Sequence, residues 1–212
     1  AVRRARRRCL LGAVLVGQAS ASGWRDVQLE SARTAIQDCE DSVAAVDAAD
    51  KTEVYANWLG LMTGELAETF EKGGKQMTRR LNDDKTLTTP DGGTLTLPGR
   101  GLLLVRNVGH LMTTDAVLFE GDETPEGMLD ALITVAAATH DLNKTDGPRN
   151  SRAGSVYVVK PKMHGPEDVA FAATMHAPGE AHLGLSLTTV TLGVRAEDGP
   201  HCQSTPARGQ GV

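Results

Sequence analysis

Three groups of polar and charged residues follow stretches of sequence that are typical of buried strands. The groups are Glu40-Asp41-Ser42, Arg106-Asn107 with nearby His110, and Lys160 with Lys162 and His164. In α/β barrels the residues that do chemistry lie at the carboxyl ends of the strands. We therefore interpret the three groups as candidates for a single site that combines carboxylates, a guanidinium and amines.

Arg106 is the most informative of these residues because it ends the apolar run of residues 102–105. Such a run predicts a strand that is buried on both faces. A guanidinium at the end of this strand can polarise a carbonyl oxygen or bind a carboxylate through two parallel hydrogen bonds. The alternative is a structural ion pair with an acid on a neighbouring strand, and the residue types alone leave both roles open.

The two acids of the first group also have a simpler interpretation. Glu40 and Asp41 are adjacent at the end of a predicted strand, where they can hold a cation or a polar ligand. Asp41 or Ser42 can instead cap the amino terminus of a helix.

The remaining candidates are an arginine and two histidines. Arg79 lies beside Arg80 on a predicted strand, and it either belongs to a solvated face or meets an anionic group of a ligand. His110 and His164 can act as bases or ligands, but an isolated histidine is more often a hydrogen-bonded structural residue. The sequence has no phosphate-binding loop, dinucleotide fingerprint, metalloprotease helix or nucleophile elbow. The residues alone therefore indicate a site for an anionic carbonyl compound.

The elements that must position these residues alternate between strands and helices. Strands are predicted over residues 34–39, 77–81, 93–97, 102–105 and 155–159, the end of a helix over 27–33, and further helices over 52–70, 125–140 and from 166 onward. Apolar residues at helical spacing define the helices, and Pro125 and Pro166 suit helix starts. This alternation predicts an α/β fold with a parallel sheet or a (β/α)8 barrel.

Composition excludes several other classes of protein. A hydrophobic fraction of 40% and a charged fraction of 23% are typical of a soluble globular protein. The net charge of -5 argues against nucleic acid or an anionic membrane as a partner. No apolar run is long enough to predict a transmembrane helix. Cys9, Cys39 and Cys202 are too few and too widely spaced for a disulfide framework or a zinc site, so we expect a reducing, cytoplasmic compartment.

The two ends of the chain differ in texture from the rest. Residues 1–22 are rich in arginine, then apolar, and end in Ala19-Ser20-Ala21, which resembles a secretory signal peptide. The alternative is a misread frame at the edge of a fragment, which the absence of an initial Met favours. Residues 198–212 have no apolar periodicity, and their composition predicts a disordered tail.

Four stretches together resemble the malate synthases of the G isoform. They are residues 38–47, 57–61, 97–112 and 150–166, with Val105-Arg106-Asn107-Val108-Gly109-His110 and Lys160-Pro161-Lys162-Met163-His164-Gly165-Pro166 as the most specific motifs. The resemblance extends over residues 23–171 and is that of the central portion of a much longer chain.

The resemblance implies a (β/α)8 barrel with an inserted α/β domain. Residues 23–62 would form the first part of the barrel, residues 63–100 part of the insertion, and residues 101–197 the continuation of the barrel. The fold class expected for this chain is therefore α/β, a partial (β/α)8 TIM-type barrel with part of an inserted α/β domain.

The resemblance also implies a reaction of the glyoxylate cycle. The parent enzyme would condense acetyl-CoA with glyoxylate and water to give malate and CoA, in the presence of Mg²⁺. An enolate of acetyl-CoA would attack the aldehyde carbon, and Arg106, by motif match, would polarise the aldehyde oxygen. Acetyl-CoA and glyoxylate are thus the expected partners of a parent enzyme that we expect to be monomeric.

Other site residues follow from the same motif match. Glu40 and Asp41 fall on the acidic loop near glyoxylate and the metal-bound water, and Ser42 and Arg79 fall on positions that contact acetyl-CoA. Counting from His164 places Glu197 on a Mg²⁺-binding glutamate, although residues 194–199 depart from the family pattern.

The second metal ligand, the aspartate base and the C-terminal domain of the family have no counterpart in this sequence. We therefore expect this chain to be inactive by itself, because removal of a proton from a thioester methyl group needs a positioned base. Two hypotheses remain: a part of a working malate synthase, or a catalytically inert remnant of that enzyme.

Overall fold

The computed structural model describes residues 6–11, 21–22, 24–30, 34–40, 45–89 and 91–196. The chain divides into two compact units, residues 1–33 and 34–212. In the first unit, β1 (Arg6–Leu11) and β2 (Trp24–Glu30) pair antiparallel. The helix end that was predicted over residues 27–33 is therefore wrong for residues 27–30, where Val27 and Leu29 alternate with polar residues as in a strand. Residues 1–5 and 12–20 of the signal-like segment lie outside the described residues, as does the tail of residues 198–212 that was predicted to be disordered.

The second unit mixes helices and strands. In chain order, its elements are β3 (Thr34–Asp38), α1 (Ala48–Thr63), β4 (Ala67–Lys72), β5 (Lys75–Arg80), β6 (Lys85–Thr88), β7 (Thr94–Leu97), β8 (Leu102–Arg106), β9 (Thr113–Phe119), β10 (Asp122–Pro125), α2 (Glu126–Leu142), β11 (Val156–Met163), α3 (Pro166–His182) and β12 (Val190–Ala196). None of the described helices is both long and apolar enough to cross a membrane.

A parallel sheet of four strands forms the frame of this unit, in the order β12-β11-β8-β3. One of the three helices lies between each pair of successive strands along the chain. Each strand is thus hydrogen-bonded to the next one in this series, which is the arrangement of consecutive βα units in a barrel. The described strands form an open sheet, so the α/β fold with a partial barrel is confirmed.

The register of the sheet brings the predicted strand ends together. Asp38 at the end of β3 is paired with Arg106 at the end of β8, and Arg106 is paired with Val159 of β11. The residues that follow these three positions therefore meet at one edge of the sheet. Lys160 and the residues after it still belong to β11, which extends four residues beyond the strand predicted to end at residue 159.

The hydrophobic core lies between the sheet and the helices α1 and α2. Val105 and Val158 of the sheet, Trp58 of α1 and Val135 of α2 belong to one buried cluster. The indole N–H of Trp58 donates to the carbonyl oxygen of Thr134 at 2.9 Å. Trp58 is thus buried with its polar group satisfied, and it joins the two helices that carry the charged residues described below.

The helix predicted over residues 52–70 is shorter and begins earlier. Asp47 caps its first turn by accepting the Asp50 N–H at 2.9 Å, and the helix ends at Thr63. Gly64 has a φ of 87° and donates its N–H to the Gly60 carbonyl, which is a helix end that favours glycine. The prediction was wrong beyond this point, because residues 67–72 form the strand β4.

Among the described residues of the second unit, three antiparallel hairpins lie outside the parallel sheet. They are β4 with β5, β6 with β7, and β9 with β10. The first two occupy residues that the resemblance assigned to an inserted domain, and the boundaries of that domain remain a prediction. The third hairpin joins β8 to α2 and was not predicted, because its strands are mostly exposed and carry no alternating apolar pattern.

Candidate functional site

Arg106 lies at the carboxyl end of β8, where two acids hold its guanidinium. Its Nε donates to Oδ1 of Asp38 at 2.8 Å, and its Nη2 contacts Oδ2 of the same carboxylate. The Nη2 atom also lies 3.0 Å from Oε2 of Glu40. Hydrogen bonding to Asp38 raises the pKa of Arg106, and the charges of both acids act in the same direction against the effect of burial. The guanidinium is thus a fixed cation.

Glu40 lies between two cations. Its carboxylate contacts Arg106 through Oε2 and Nζ of Lys162 through Oε1, the latter at 2.6 Å. Its side chain is only 5% exposed, and its backbone N–H donates to Oδ1 of Asp38 at 3.0 Å. Asp38, Glu40, Arg106 and Lys162 therefore form one group of two carboxylates and two cations, which we term the strand-end cluster.

One part of the Arg106 guanidinium makes no hydrogen bond within the part of the chain that the structure describes. A guanidinium has five N–H donors, and the contacts with described residues use Nε and Nη2. Nη1 has no hydrogen-bond partner among residues 34–40, 45–89 and 91–196. A cation that is already oriented by carboxylates can donate to a developing oxyanion with little reorganisation.

Lys162 reaches the cluster through an unusual backbone conformation. Its φ is 56°, which is rare for a residue with a side chain, and the pairing of β11 with β12 shifts between Lys160 and Met163. Its side chain passes close to Gly109, where an added Cβ would lie 3.4 Å from Cδ of Lys162. Strained conformations of this kind occur most often at functional sites.

The other members of the three predicted groups have structural contacts. The Nε2 atom of His110 lies 3.2 Å from the Asp168 carbonyl oxygen, and its ring packs edge-on against Phe171 with 5.0 Å between centroids. Burial lowers the pKa of His110, and the charge of Lys160 lowers it further. His164 is exposed, and its contact with Asp168 uses the backbone N–H. These contacts favour the structural interpretation of both histidines.

The contact of Arg79 is with Phe70 on the β4–β5 hairpin and not with a residue of the strand-end cluster. Arg79 is exposed on β5, and its guanidinium carbon lies 4.6 Å from the centroid of the Phe70 ring on β4. A hairpin cation of this kind is accessible to an anionic group, so contact with acetyl-CoA remains a prediction. Asp41, Ser42 and Glu197 lie outside the described residues.

The described residues do not form a metal site by themselves. Within the described ranges, no group of three or more His, Cys, Asp or Glu side chains is arranged to hold a metal ion. The two carboxylates at the sheet edge, Asp38 and Glu40, are bonded to Arg106 and Lys162. Binding of Mg²⁺ therefore remains a prediction.

Asp38 is the residue of the cluster that sequence reasoning missed. The strand was predicted to end at Cys39, so the strand-end rule that selected Arg106 was applied to Glu40 and Asp41, whereas β3 ends one residue earlier at Asp38. A cavity of about 270 Å³ lies elsewhere, beside Gly101 and Leu103 at the beginning of β8, and is lined in part by Arg80 and Arg100. That cavity is at the opposite end of the strand from Arg106.

Comparison with known proteins agrees with this fold. The family model described as "Malate synthase, TIM barrel domain" matches residues 102–203. The chain is 53% identical over 184 residues to malate synthase G of Halalkalibacterium halodurans, a match that covers 86% of this chain and 25% of that protein. Matches to malate synthase G of Corynebacterium efficiens (50% identity over 183 residues) and of Corynebacterium glutamicum (49% over 183) cover the same 86% of this chain and 24% and 25% of those proteins.

A parallel sheet with an arginine held at its carboxyl edge, together with these matches, defines the class of protein. The chain belongs to the malate synthase family. The three relatives named above all carry the G designation, so within the family the resemblance is to the G isoform. The chain spans about a quarter of the length of these curated relatives.

Proposed function

We propose that this chain supplies the glyoxylate-polarising part of a malate synthase, an enzyme that condenses acetyl-CoA with glyoxylate and water to give malate and CoA. The observation that carries the proposal is the Arg106 guanidinium, which Asp38 and Glu40 hold at the sheet edge while its Nη1 makes no hydrogen bond to a described residue. The name of the relatives supports the reaction class. The expected cellular role is the glyoxylate cycle, in a monomeric parent enzyme of the cytoplasm.

The role of Arg106 follows from the charge that develops in the reaction. When an enolate attacks the aldehyde carbon of glyoxylate, the carbonyl oxygen gains negative charge. A guanidinium that donates to this oxygen stabilises the transition state more than the ground state, and the same group can also bind the glyoxylate carboxylate. Asp38 and Glu40 keep the guanidinium oriented before the substrate arrives, and Lys162 compensates the second carboxylate.

Two further parts of the proposal concern acetyl-CoA and the metal. Arg79 on the β4–β5 hairpin is exposed, and a guanidinium suits the phosphates of the CoA nucleotide. Ser42 would contact the same cofactor. Mg²⁺, when bound with the help of Glu197, would supply additional polarisation of the aldehyde. Glu40 and Asp41 would lie near glyoxylate.

Substitution of Arg106 tests the proposal directly. In the full-length protein, Arg106→Gln should lower kcat by about 10² to 10³, which is the usual cost of losing one donor to an oxyanion. The release of CoA thiol from acetyl-CoA in the presence of glyoxylate and Mg²⁺ measures this rate. Arg80→Gln is the matched control, since Arg80 is an exposed hairpin arginine whose recorded ion pair is with Asp83. Equal rates for wild type and Arg106→Gln would contradict the proposal.

Experiments on the 212-residue chain distinguish the two hypotheses, which are a part of a working malate synthase and a catalytically inert remnant. We expect the chain to bind glyoxylate in a manner that depends on Arg106, but to release no CoA thiol, because the methyl proton of acetyl-CoA needs a base that the resemblance places elsewhere in the family. Thiol release by the purified chain would overturn the expected inactivity. Absence of glyoxylate binding by a cooperatively folded chain would favour the inert remnant.

A further inference from the structure

A second group of charges is buried between the sheet and the helices α1 and α2. Its members are Lys51 and Tyr55 of α1, Glu126 and Asp130 of α2, and Lys160 of β11, which we term the rear cluster. Nζ of Lys51 lies 2.6 Å from Glu126 and 2.9 Å from Asp130, and the Tyr55 hydroxyl donates to Asp130 at 2.6 Å. Asp130 and Lys160 are completely buried.

The rear cluster binds the backbone of both segments that carry the strand-end cluster. Nζ of Lys51 donates to the carbonyl oxygen of Cys39 at 2.8 Å, and Cys39 lies between Asp38 and Glu40. On the other segment, Asp130 accepts the N–H of Val108 at 2.8 Å, and Val108 is two residues beyond Arg106. The ion pair between Lys51 and Asp130 therefore connects the segment of the acids to the segment of the arginine.

Lys160 completes this connection from the sheet. Its Nζ donates to the carbonyl oxygen of Val108 at 2.5 Å, so the backbone N–H and the backbone carbonyl of Val108 are both bound by buried charged side chains. Space for the amine depends on Gly127, because a Cβ at that position would lie 2.4 Å from Nζ of Lys160. The amine has no carboxylate within ion-pair distance among residues 34–40, 45–89 and 91–196.

Stability alone does not account for such a cluster. Charges that are removed from water recover their lost hydration only with good geometry, and apolar residues of similar volume stabilise a fold equally well or better. The rear cluster also orients the backbone, because Lys51, Asp130 and Lys160 each make a hydrogen bond to a backbone atom of Cys39 or Val108 beside the site. Fixing two neighbouring segments to a common support sets the distance between the groups that they carry.

We propose that Lys51, Asp130 and Lys160 are positioning residues that set Arg106 relative to Glu40 for an anionic aldehyde substrate. The three side chains act through the backbone of Cys39 and Val108 and do not touch the substrate. The identity of the anionic aldehyde rests on the proposed function. The positioning of Arg106 relative to Glu40 does not, because it is a property of the chain without any ligand.

Two measurements on the 212-residue chain test the proposal separately. The first is the exchange rate of the Arg106 Nε–H with water, followed by NMR and assigned through its loss in Arg106→Lys. This proton donates to Asp38, so its protection reports the geometry of the strand-end cluster without any substrate. The second is the affinity for glyoxylate in the presence of Mg²⁺, measured by titration calorimetry.

Lys51→Met is the test variant and Lys144→Met its matched control. Lys144 also forms a largely buried ion pair with an aspartate of α2, Asp141 at 3.2 Å, but near the other end of that helix. The side chains of the two lysines are similarly exposed, 11% and 16%. Both variants should melt at lower temperatures. Lys51→Met alone should speed the Arg106 Nε–H exchange and weaken glyoxylate binding, each by about tenfold, as expected for the loss of one buried charged contact.

The outcomes separate this inference from the proposed function. If Lys51→Met and Lys144→Met change the Arg106 exchange equally, the rear cluster is merely structural and the inference fails. If only Lys51→Met changes the exchange but wild type does not bind glyoxylate, the positioning stands and the proposed function fails. Should Lys51→Met not fold cooperatively, Asp130→Asn replaces it, since this variant keeps the shape and an oxygen for the Val108 N–H while removing the charge that faces Lys51.

Discussion

Asp38 and Arg106 are register partners on neighbouring parallel strands, and their side chains form a two-pronged ion pair at the carboxyl edge of the sheet. Side chains of paired residues in a sheet lie on the same face, so a β3 residue and a β8 residue that are 68 positions apart meet directly. The pair is the base of the strand-end cluster, because Glu40 contacts Nη2 of Arg106 and Lys162 in turn contacts Glu40. The orientation of Arg106 is thus determined by the register of the sheet.

Removal of the Asp38 charge should therefore misplace Arg106 without removing it. We expect Asp38→Asn to lower kcat of the full-length protein by about tenfold, in line with the loss of a charge-assisted hydrogen bond. The KM for glyoxylate should change less, because the guanidinium charge remains. Steady-state kinetics measures both values.

Asp83→Asn is the control for this substitution. Asp83 pairs with Arg80 at 3.9 Å on the surface, and exposed pairs of this kind contribute little. A kcat for Asp38→Asn that equals that of Asp83→Asn would show that Arg106 does not depend on its strand partner.

The strands and the position of Arg106 were predictable from the sequence, but the pairing of residues between strands was not. The strands β3 and β8 and the position of Arg106 follow from short apolar or mixed runs that end in charged residues. The pairing of Asp38 with Arg106 does not, because register becomes known only when the two strands are placed side by side. The sequence thus placed Asp38 on a predicted strand but did not identify it as the partner of Arg106.

Lys160 and Lys162 show a second limit of sequence reasoning. Two residues that are two positions apart on a regular strand point to the same face, so the pattern predicts a common role. The positive φ of Lys162 and the shift in pairing beside it break this alternation. Lys160 is consequently buried in the rear cluster, whereas Lys162 contacts Glu40 in the strand-end cluster. A backbone irregularity of this kind leaves no signal in the types of residue.

Lys162 provides a test that separates backbone strain from charge. Lys162→Gly relieves a left-handed conformation that costs about 1 kcal/mol in a residue with a side chain, while it removes the cation beside Glu40. We expect the free energy of unfolding to change little, but glyoxylate binding to weaken severalfold because Glu40 then competes for Arg106 without a second cation.

Urea unfolding and titration calorimetry measure the two effects. Lys162→Met is the comparison variant, because it lacks the cation and keeps the strain. It should be less stable than Lys162→Gly and bind glyoxylate equally weakly. A glyoxylate affinity for Lys162→Gly equal to that of wild type would exclude a role for this amine at the site.

Buried Lys160 should make stability depend on pH in an unusual direction. Burial lowers the pKa of Lys160 from 10.5 to about 8, although the charge of Asp130 opposes this change. Because the folded-state pKa is the lower one, the unfolded chain binds more protons between these values, and this group favours folding increasingly as pH rises from about 8 to 10.5. Below pH 8 the amine is charged in both the folded and the unfolded chain. Burial of this charge then lowers the free energy of unfolding by up to about 3 kcal/mol.

Comparison with Lys160→Met isolates this contribution from the other groups that titrate in the same range. Urea unfolding of both proteins at several pH values between 7 and 10 should show that the stability of Lys160→Met relative to wild type falls as pH increases. A difference that stays constant across this range would mean that Lys160 does not change its protonation there on folding.

The short distance between Gly127 and the Lys160 amine can be tested by replacing two helical glycines, Gly127 and Gly179, with alanine. Gly127 lies in the first turn of α2 and Gly179 within α3, and replacement of glycine by alanine inside a helix usually stabilises by about 0.5 to 1 kcal/mol. Gly179 has no atom within 4 Å of a built Cβ, so Gly179→Ala should show this gain. A Cβ at residue 127 would instead overlap Nζ of Lys160, so the amine would have to shift from its position beside the Val108 carbonyl oxygen, and we expect this shift to weaken or break their hydrogen bond.

We therefore expect Gly127→Ala to destabilise the chain by about 1 to 3 kcal/mol, the cost of leaving a buried polar group without its partner. Thermal and urea unfolding of the two variants give the comparison, with Gly179→Ala reporting the intrinsic gain from alanine. If Gly127→Ala stabilises as much as Gly179→Ala, the Lys160 amine has other positions open to it at no cost. The hydrogen bond to Val108 would then not be a fixed support for the segment that carries Arg106.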